Sequence, residues 1–205
     1  LPERRHTSLS GFEDTDILPF GGRLHRIEMD DMLQTLATYI PSFPVYPPEF
    51  SWMRTPHTEI PALLAGEHAS GGRIYYFAGD VDRCYGRTHL PDLGDLLAQA
   101  VQWAAKDTIP LRVEGPGYID CKLYRQGKRW ILHLVNLSAG NPNPGFVEEL
   151  LPVGPIQVSV RTDWEAAPAR AQFRVAGEEA GLSQSGPWTT ITVPSLVDHE
   201  LIVIE

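Results

Sequence analysis

Asp80, Asp82, Cys84 and His89 fall within one short stretch, Gly-Asp-Val-Asp-Arg-Cys-Tyr-Gly-Arg-Thr-His, and together hold the groups of two chemistries. Two carboxylates and an imidazole can ligate a divalent metal, and a thiol near an imidazole and an acid can act as a nucleophile. The spacing argues against both. Asp80, Asp82 and His89 match no established ligand pattern, and a nucleophile elbow needs small residues on either side of its nucleophile, whereas Cys84 stands between Arg83 and Tyr85. The expectation is structural: Cys84 is a loop thiol, and Asp80 and Asp82 cap loop amides or pair with Arg83 or Arg87.

The other chemistry-bearing groups are scattered. Glu13, Asp14 and Asp16 lack the Asp-x-Asp-x-Asp-Gly pattern of a calcium loop and have no histidine beside them, so they read as a solvated loop leading into a strand. Gly71-Gly72 is no phosphate loop, and no motif calls for a cofactor or a metal. His133 alternates with apolar neighbours and reads as a core or sheet-edge histidine. Trp130, Trp164 and Trp188, with Tyr118 and Tyr124, admit two readings. Exposed rings stack on sugars, which makes Trp164, Trp188 and Tyr124 the candidate carbohydrate contacts; aromatic rings also fill the cores of small β domains, and Trp130 opens a strand that needs apolar fill.

The elements around the first stretch predict an α/β layer. Gly71-Gly72 turns into the apolar run Ile74 to Ala78, read as a strand buried on both faces, and Asp80 to His89 follows as a charged loop. Pro91 then starts a helix to Ala105 with Leu93, Leu96, Leu97, Ala100, Val101 and Ala104 on one stripe. A strand feeding an amphipathic helix is half of a β-α-β unit. Upstream, Asp16 to Glu28 reads as two extended pieces about Gly21-Gly22, and Leu33 to Tyr39 and Pro61 to Ala65 as strands. Between these strands, Pro41 to Pro61 carries six prolines, too many for a helix, and makes an ordered surface loop pinned by Trp52 and Met53.

After Pro110 the pattern becomes strand-turn-strand. Tyr118 to Arg125 alternates, with Ile119, Cys121 and Leu123 on one face and Asp120 and Lys122 on the other. Gln126-Gly127-Lys128 turns the chain into Trp130 to Leu137, apolar on both faces and expected at the centre of its sheet. Extended segments at 156–160, 171–175, 188–193 and 201–204 complete a small antiparallel sandwich. The fold class is therefore α/β followed by all-β, with domains at 1–108 and 109–205.

Composition excludes several partners. A net charge of −9 over 205 residues opposes binding to nucleic acid or anionic membrane, and no apolar run is long enough to span a bilayer. Two cysteines far apart in sequence, Cys84 and Cys121, suit a reducing compartment, and no signal-peptide core precedes them, so the expected location is cytoplasmic. The chain opens on Leu1 and reads as a piece of a longer protein.

Four segments carry a resemblance: Phe-Ala-Gly-Asp-Val-Asp-Arg at 77–83, Leu-Pro-Asp-Leu-Gly-Asp-Leu-Leu-Ala at 90–98, Val-Glu-Gly-Pro-Gly at 113–117 and His-Leu-Val-Asn-Leu at 133–137. Together they resemble the C-terminal region of glycoside-hydrolase-like proteins, similar to the beta-galactosidase trimerisation domain and the β domain behind it in family forty-two beta-galactosidases. The resemblance implies that 1–108 is the C-terminal half of a flavodoxin-like or amidotransferase-like domain and that a catalytic barrel is absent from this chain. It also implies a trimeric homo-oligomer, or association with the missing N-terminal part. The two carboxylates that hydrolyse a glycosidic bond lie about 5–10 Å apart, and nothing in the sequence places any two of Glu13, Glu49, Glu59, Glu67 and Asp80 as such a pair. The expected role is non-catalytic: subunit assembly and bracing of a barrel, with loops 41–61 and 80–90 in the contacts, and carbohydrate binding by the β domain as the alternative.

Overall fold

In the computed structural model, which describes residues 6–28, 31–106, 108–138, 149–162 and 168–205, the chain divides into two units, Leu1–Thr108 and Ile109–Glu205. The first is built on a meander of β1 (Leu33–Thr38), β2 (Pro61–Glu67) and β3 (Arg73–Phe77), all antiparallel, with β2 in the middle. β2 carries three consecutive buried residues, Leu63, Leu64 and Ala65, as a central strand covered on both faces should. The β2–β3 turn closes through hydrogen bonds between His68 and Gly72, with Gly71 at a φ of 84° that favours glycine.

Two helices follow, α1 (Val81–Thr88) and α2 (Pro91–Ala105). α2 starts on its proline as expected and turns Leu93, Leu96 and Ala100 inward, where Leu96 joins Leu63 and Phe12 in a small core. Each such leucine contributes about 1.5–3 kcal/mol by leaving water. The stripe is narrower than expected, since Val101 and Ala104 are exposed and Trp103 takes the last inward position, half-buried. Three further expectations are corrected. Asp80 to His89 is mostly helix, because Val81, Cys84, Tyr85 and Thr88 recur at helical spacing under their polar neighbours. Ile74 to Ala78 is not buried on both faces: β3 is an edge strand, and Ile74 and Tyr76 are exposed. Finally, β3 pairs antiparallel with β2, and among the described residues no strand returns parallel to it through the helices, so the β-α-β continuation is not formed.

Asp16 to Glu28 contributes a single bridge, Leu24 to Gly79, and no strand. Asp80 holds this segment, its Oδ1 accepting from the Arg23 amide at 3.1 Å, while Oδ2 lies 3.7 Å from Arg83. The capping and pairing role expected of Asp80 is what the structure shows. Gly22 and Gly79 make the approach possible, since a Cβ at Gly22 would stand 1.7 Å from that carboxylate and one at Gly79 would stand 2.4 Å from the Phe20 ring.

The second unit is a sandwich of antiparallel strands. One sheet runs β10 (Leu182–Ser185), β11 (Trp188–Val193), β7 (Ile156–Arg161), β4 (Leu111–Glu114). The other runs β5 (Ile119–Gln126), β6 (Arg129–Asn136), β12 (His199–Ile204), β8 (Ala171–Phe173), β9 (Glu179–Ala180). Period-two alternation puts Ile156, Val158, Val160, Ile191 and Val193 from the first sheet against Leu132, Leu134, Phe173, Ile202 and Ile204 from the second, in one fully buried core. Ile119, Cys121 and Leu123 pack on that core, as the alternation of β5 predicts, and Trp130 joins them. The β5–β6 hairpin turns at Gly127-Lys128, with Gln126 facing Arg129 and Gly127 at a φ of 59°. β6 is interior but not central, a place taken by β12. The apolar outer face of β6 is half-buried, and His133 lies on that open face, not in the core or at a sheet edge.

Polar side chains close the ends of the sandwich. Asn136 Nδ2 donates to the carbonyls of Leu151, Leu196 and Val197, and the buried Glu200 carboxylate accepts from the amides of Val175, Ala176 and Leu201. Glu205 pairs with Arg129 and Arg170, and the hydrogen bond from Arg170, with the charge of Arg129 beside it, holds its carboxyl below the usual range.

Candidate functional site

The first chemistry-bearing stretch is taken apart by the geometry. Cys84 is the fourth residue of α1, buried inside a helix and not poised on the strand-to-helix turn that a nucleophile needs, so it is a helix thiol and not a loop thiol. His89 caps that helix in the left-handed conformation, donating its amide to Tyr85 at 2.8 Å. Cys84 and Cys121 are both free. Among the described residues no three His, Cys, Asp or Glu side chains gather as a metal site, and no helix is long and apolar enough to cross a membrane.

The candidate carbohydrate contacts are likewise separate. Trp188 is half-buried on β11, and the Arg112 guanidinium sits 4.2 Å over its ring, covering a face that a sugar would need. Tyr124 belongs to β5, in the other sheet, and is 56% exposed with the His133 ring edge-on at 5.7 Å. His133 in turn stacks at 6.1 Å with His199. Trp164 lies outside the described residues. The two rings that are described do not form a joint platform.

Two other features were not foreseen. A cleft of about 220 Å³ runs beside α2, where Asp92, Asp95, Gln99 and Gln102 line one wall, with Ser10 and Thr15 also at its border. The second is a ring cluster at the base of the same unit. Trp103 receives the His6 ring edge-on at 5.0 Å, Tyr75 at 5.9 Å and the Arg73 guanidinium at 4.9 Å. Arg73 also donates to the Trp103 carbonyl and to Glu67, both at 2.8 Å. Burial holds the Tyr75 hydroxyl above its usual value, and among the described residues this oxygen has no hydrogen-bond partner in reach; Ser8 tempers the rise but shares its own hydroxyl with His6 at 2.7 Å. The cluster bolts the N-terminal turn Thr7–Leu9 to β3 and α2.

Burial first, and the nearby Arg73 charge second, hold His6 below the ordinary imidazole value. A group whose pKa is depressed by folding adds stability above its unfolded value and loses it as pH falls through the folded one. The N-terminal turn should therefore loosen below about pH 6.5. Trp103 fluorescence or amide exchange near Ser8, followed from pH 8 to 5, checks this; His6→Phe should flatten the profile.

The proline-rich segment carries several exposed aromatic groups. Tyr46 is 80% exposed, Trp52 49%, and Val45, Phe50 and Ile60 are exposed beside them. Met53 is half-buried, so Trp52 does not pin this loop as expected. The Phe50 and Trp52 rings stack at 6.2 Å, 29° from parallel, and Arg54 lies 5.7 Å over Trp52.

No protein-family model matches the chain, and no curated protein does. Among solved structures, 71% of it superposes on part of alpha-L-fucosidase isoenzyme 2 from Paenibacillus thiaminolyticus with a TM-score of 0.58 and 21% identity. An alignment over 86% of the chain with beta-galactosidase from Bacillus circulans sp. alkalophilus has a TM-score of 0.44 and 14% identity. The fucosidase alignment defines a shared fold and no more. The chain spans 22% of the length of the fucosidase and 18% of that of the galactosidase.

Proposed function

We propose that this chain is a non-catalytic accessory region of a glycoside-hydrolase-like protein, serving subunit assembly and bracing of a catalytic barrel found elsewhere. The observation that carries this reading is the fold shared with a fifth of a fucosidase chain. Asp92 and Asp95 border a cleft, but both project from one wall, the same helix. The finer assignment follows the sequence resemblance: the first unit belongs to a trimerisation-type domain, although its antiparallel meander departs from the parallel layer of a flavodoxin-like fold, and the protein is a homo-oligomer or joins a separate N-terminal part. A three-stranded sheet with exposed Ile74 and Tyr76 suits such a covered position. Carbohydrate binding by the β domain has less support, since Arg112 covers Trp188 and Tyr124 stands on the opposite sheet.

The chain by itself should leave nitrophenyl fucosides, nitrophenyl galactosides and glutamine unhydrolysed. A chromogenic and ammonia-release assay checks this, and turnover that vanishes with Cys84→Ala or Asp80→Asn would overturn the non-catalytic reading. Calorimetry with galactosides and polysaccharides tests the alternative, which predicts saturable heat that Tyr124→Ala removes.

A further inference from the structure

We propose that Asn136 is an N-glycan acceptor in the unfolded chain alone, and that a glycan there and the folded sandwich exclude each other. Asn136-Leu137-Ser138 has the form Asn-x-Ser without a proline in the middle, the acceptor sequence of asparagine-linked glycosylation. The other asparagines, Asn141 and Asn143, each precede a proline, so the sequence holds a single such site. An acceptor of this kind ordinarily belongs on a surface loop, because the sugar is bulky and polar and the transferring enzyme must reach the side chain. This inference is independent of the assembly reading above.

The fold closes this site. Asn136 is the last residue of β6 and 5% exposed. Its backbone is held on both flanks, paired with Ile119 of β5 on one side and donating its amide to the Asp198 carbonyl at 2.7 Å on the other. The atom that takes the sugar, Nδ2, donates to the carbonyls of Leu151, Leu196 and Val197 at 2.8, 3.2 and 2.9 Å. Oδ1 accepts from the Ser138 amide at 3.0 Å, and the Ser138 hydroxyl accepts from the Tyr118 amide at 2.8 Å, so the residue that completes the acceptor sequence is engaged as well. In the transfer, Nδ2 bonds to the anomeric carbon of a lipid-linked oligosaccharide, the lipid pyrophosphate leaves, and Nδ2 loses one proton. The product nitrogen keeps one hydrogen where three carbonyls now meet it, and a saccharide has to stand in the space those carbonyls fill. Folding around it would leave buried carbonyls without a donor and a polar sugar without water, both unfavourable. Before β6 pairs, none of these bonds exists and the three residues form an open segment. The site is readable in one conformational state and erased in the other.

Translation of the full chain behind a cleavable signal peptide, in a lysate supplied with glycosylating microsomes, tests both halves. Part of the translocated chain should carry one glycan that an endoglycosidase removes. Ser138→Ala should carry none, although it keeps Asn136 and its three carbonyl bonds. Under limited proteolysis the glycosylated chains should lose residues 109–205 at least tenfold faster than glycan-free chains. Wild type translated without microsomes supplies the glycan-free reference with no substitution, so the comparison stands even where Ser138→Ala folds poorly. The native, purified chain offered the same transferase and a lipid-linked oligosaccharide should stay unmodified. A glycan on the native chain overturns the exclusion, as do glycosylated chains as resistant to protease as the reference. Chains that have lost the signal peptide and yet carry no glycan overturn the acceptor assignment.

Discussion

Replacing Asn136 by leucine should lower the unfolding free energy of the C-terminal unit by about 3 kcal/mol or more. The Asn136 side chain is 5% exposed, and its amide nitrogen lies 2.8 Å from the Leu151 carbonyl, 3.2 Å from Leu196 and 2.9 Å from Val197. Its oxygen accepts from the Ser138 amide at 3.0 Å. Leucine has similar bulk, so the cavity term is small and the loss is polar: the Leu151 and Val197 carbonyls and the Ser138 amide lose this side chain as a partner while the Leu196 carbonyl keeps the Val153 amide, at about 1–3 kcal/mol for each group that water does not reach. Against a typical total of about 5–15 kcal/mol this is severe. Urea unfolding of the full chain, with amide exchange on β6 and β12 to assign the transition to this unit, measures it. A loss below about 1 kcal/mol would mean that water replaces the side chain at this end of the sandwich.

Glu200→Ala should cost about 2–4 kcal/mol in the same unit, by a different route. The carboxylate is 6% exposed and takes three amide hydrogen bonds, from Val175 at 2.8 Å, Ala176 at 3.1 Å and Leu201 at 2.9 Å. Two of these close the turn after β8, so that turn should open first, with fast exchange at Val175 and Ala176. Glu200→Gln keeps one acceptor oxygen and turns an NH₂ toward the remaining amide, so it should fall between wild type and alanine. Equal losses for Gln and Ala in the urea midpoint would show that the negative charge, not the acceptor count, holds the turn.

Both residues break the pattern that makes their strands legible. In Trp130 to Leu137 and in His199 to Ile204 the apolar alternation marks the core face plainly, and Leu132, Leu134, Ile202 and Ile204 are where it puts them. Asn136 and Glu200 stand at inward positions of the same strands, and a polar residue in such a register is the available signal of a buried hydrogen-bonding role. Helix α2 was readable from Pro91 and its leucines because a first-turn proline and a 3.6-residue stripe agree. Helix α1 was not, since Asp82, Arg83 and Gly86 hide a four-residue stripe. The antiparallel pairing of β3 could not be read from an apolar run that suits a strand in either kind of sheet, and which aromatic rings stay exposed depends on packing that periodicity does not encode: Arg112 lies over Trp188 and Arg54 over Trp52, yet Trp188 is half-buried and Trp52 exposed.

The strand edges differ between the two units, with a consequence for handling the protein. In the sandwich every outer strand is blunted: β9 has two residues, β4 four, β5 carries Asp120, Lys122 and Arg125, and β10 is mostly serine and glutamine. In the first unit β1 is interrupted by register shifts near Ala37, but β3 is regular, and among the described residues its far end alone is covered, by the Leu24–Gly79 bridge. Among the described residues, none pairs with the outer edge of residues 73–76, beside the exposed Ile74 and Tyr76. Aggregates formed during refolding from denaturant will therefore be seeded at β3 by strand-to-strand growth between molecules, with the sandwich carried along as a folded passenger.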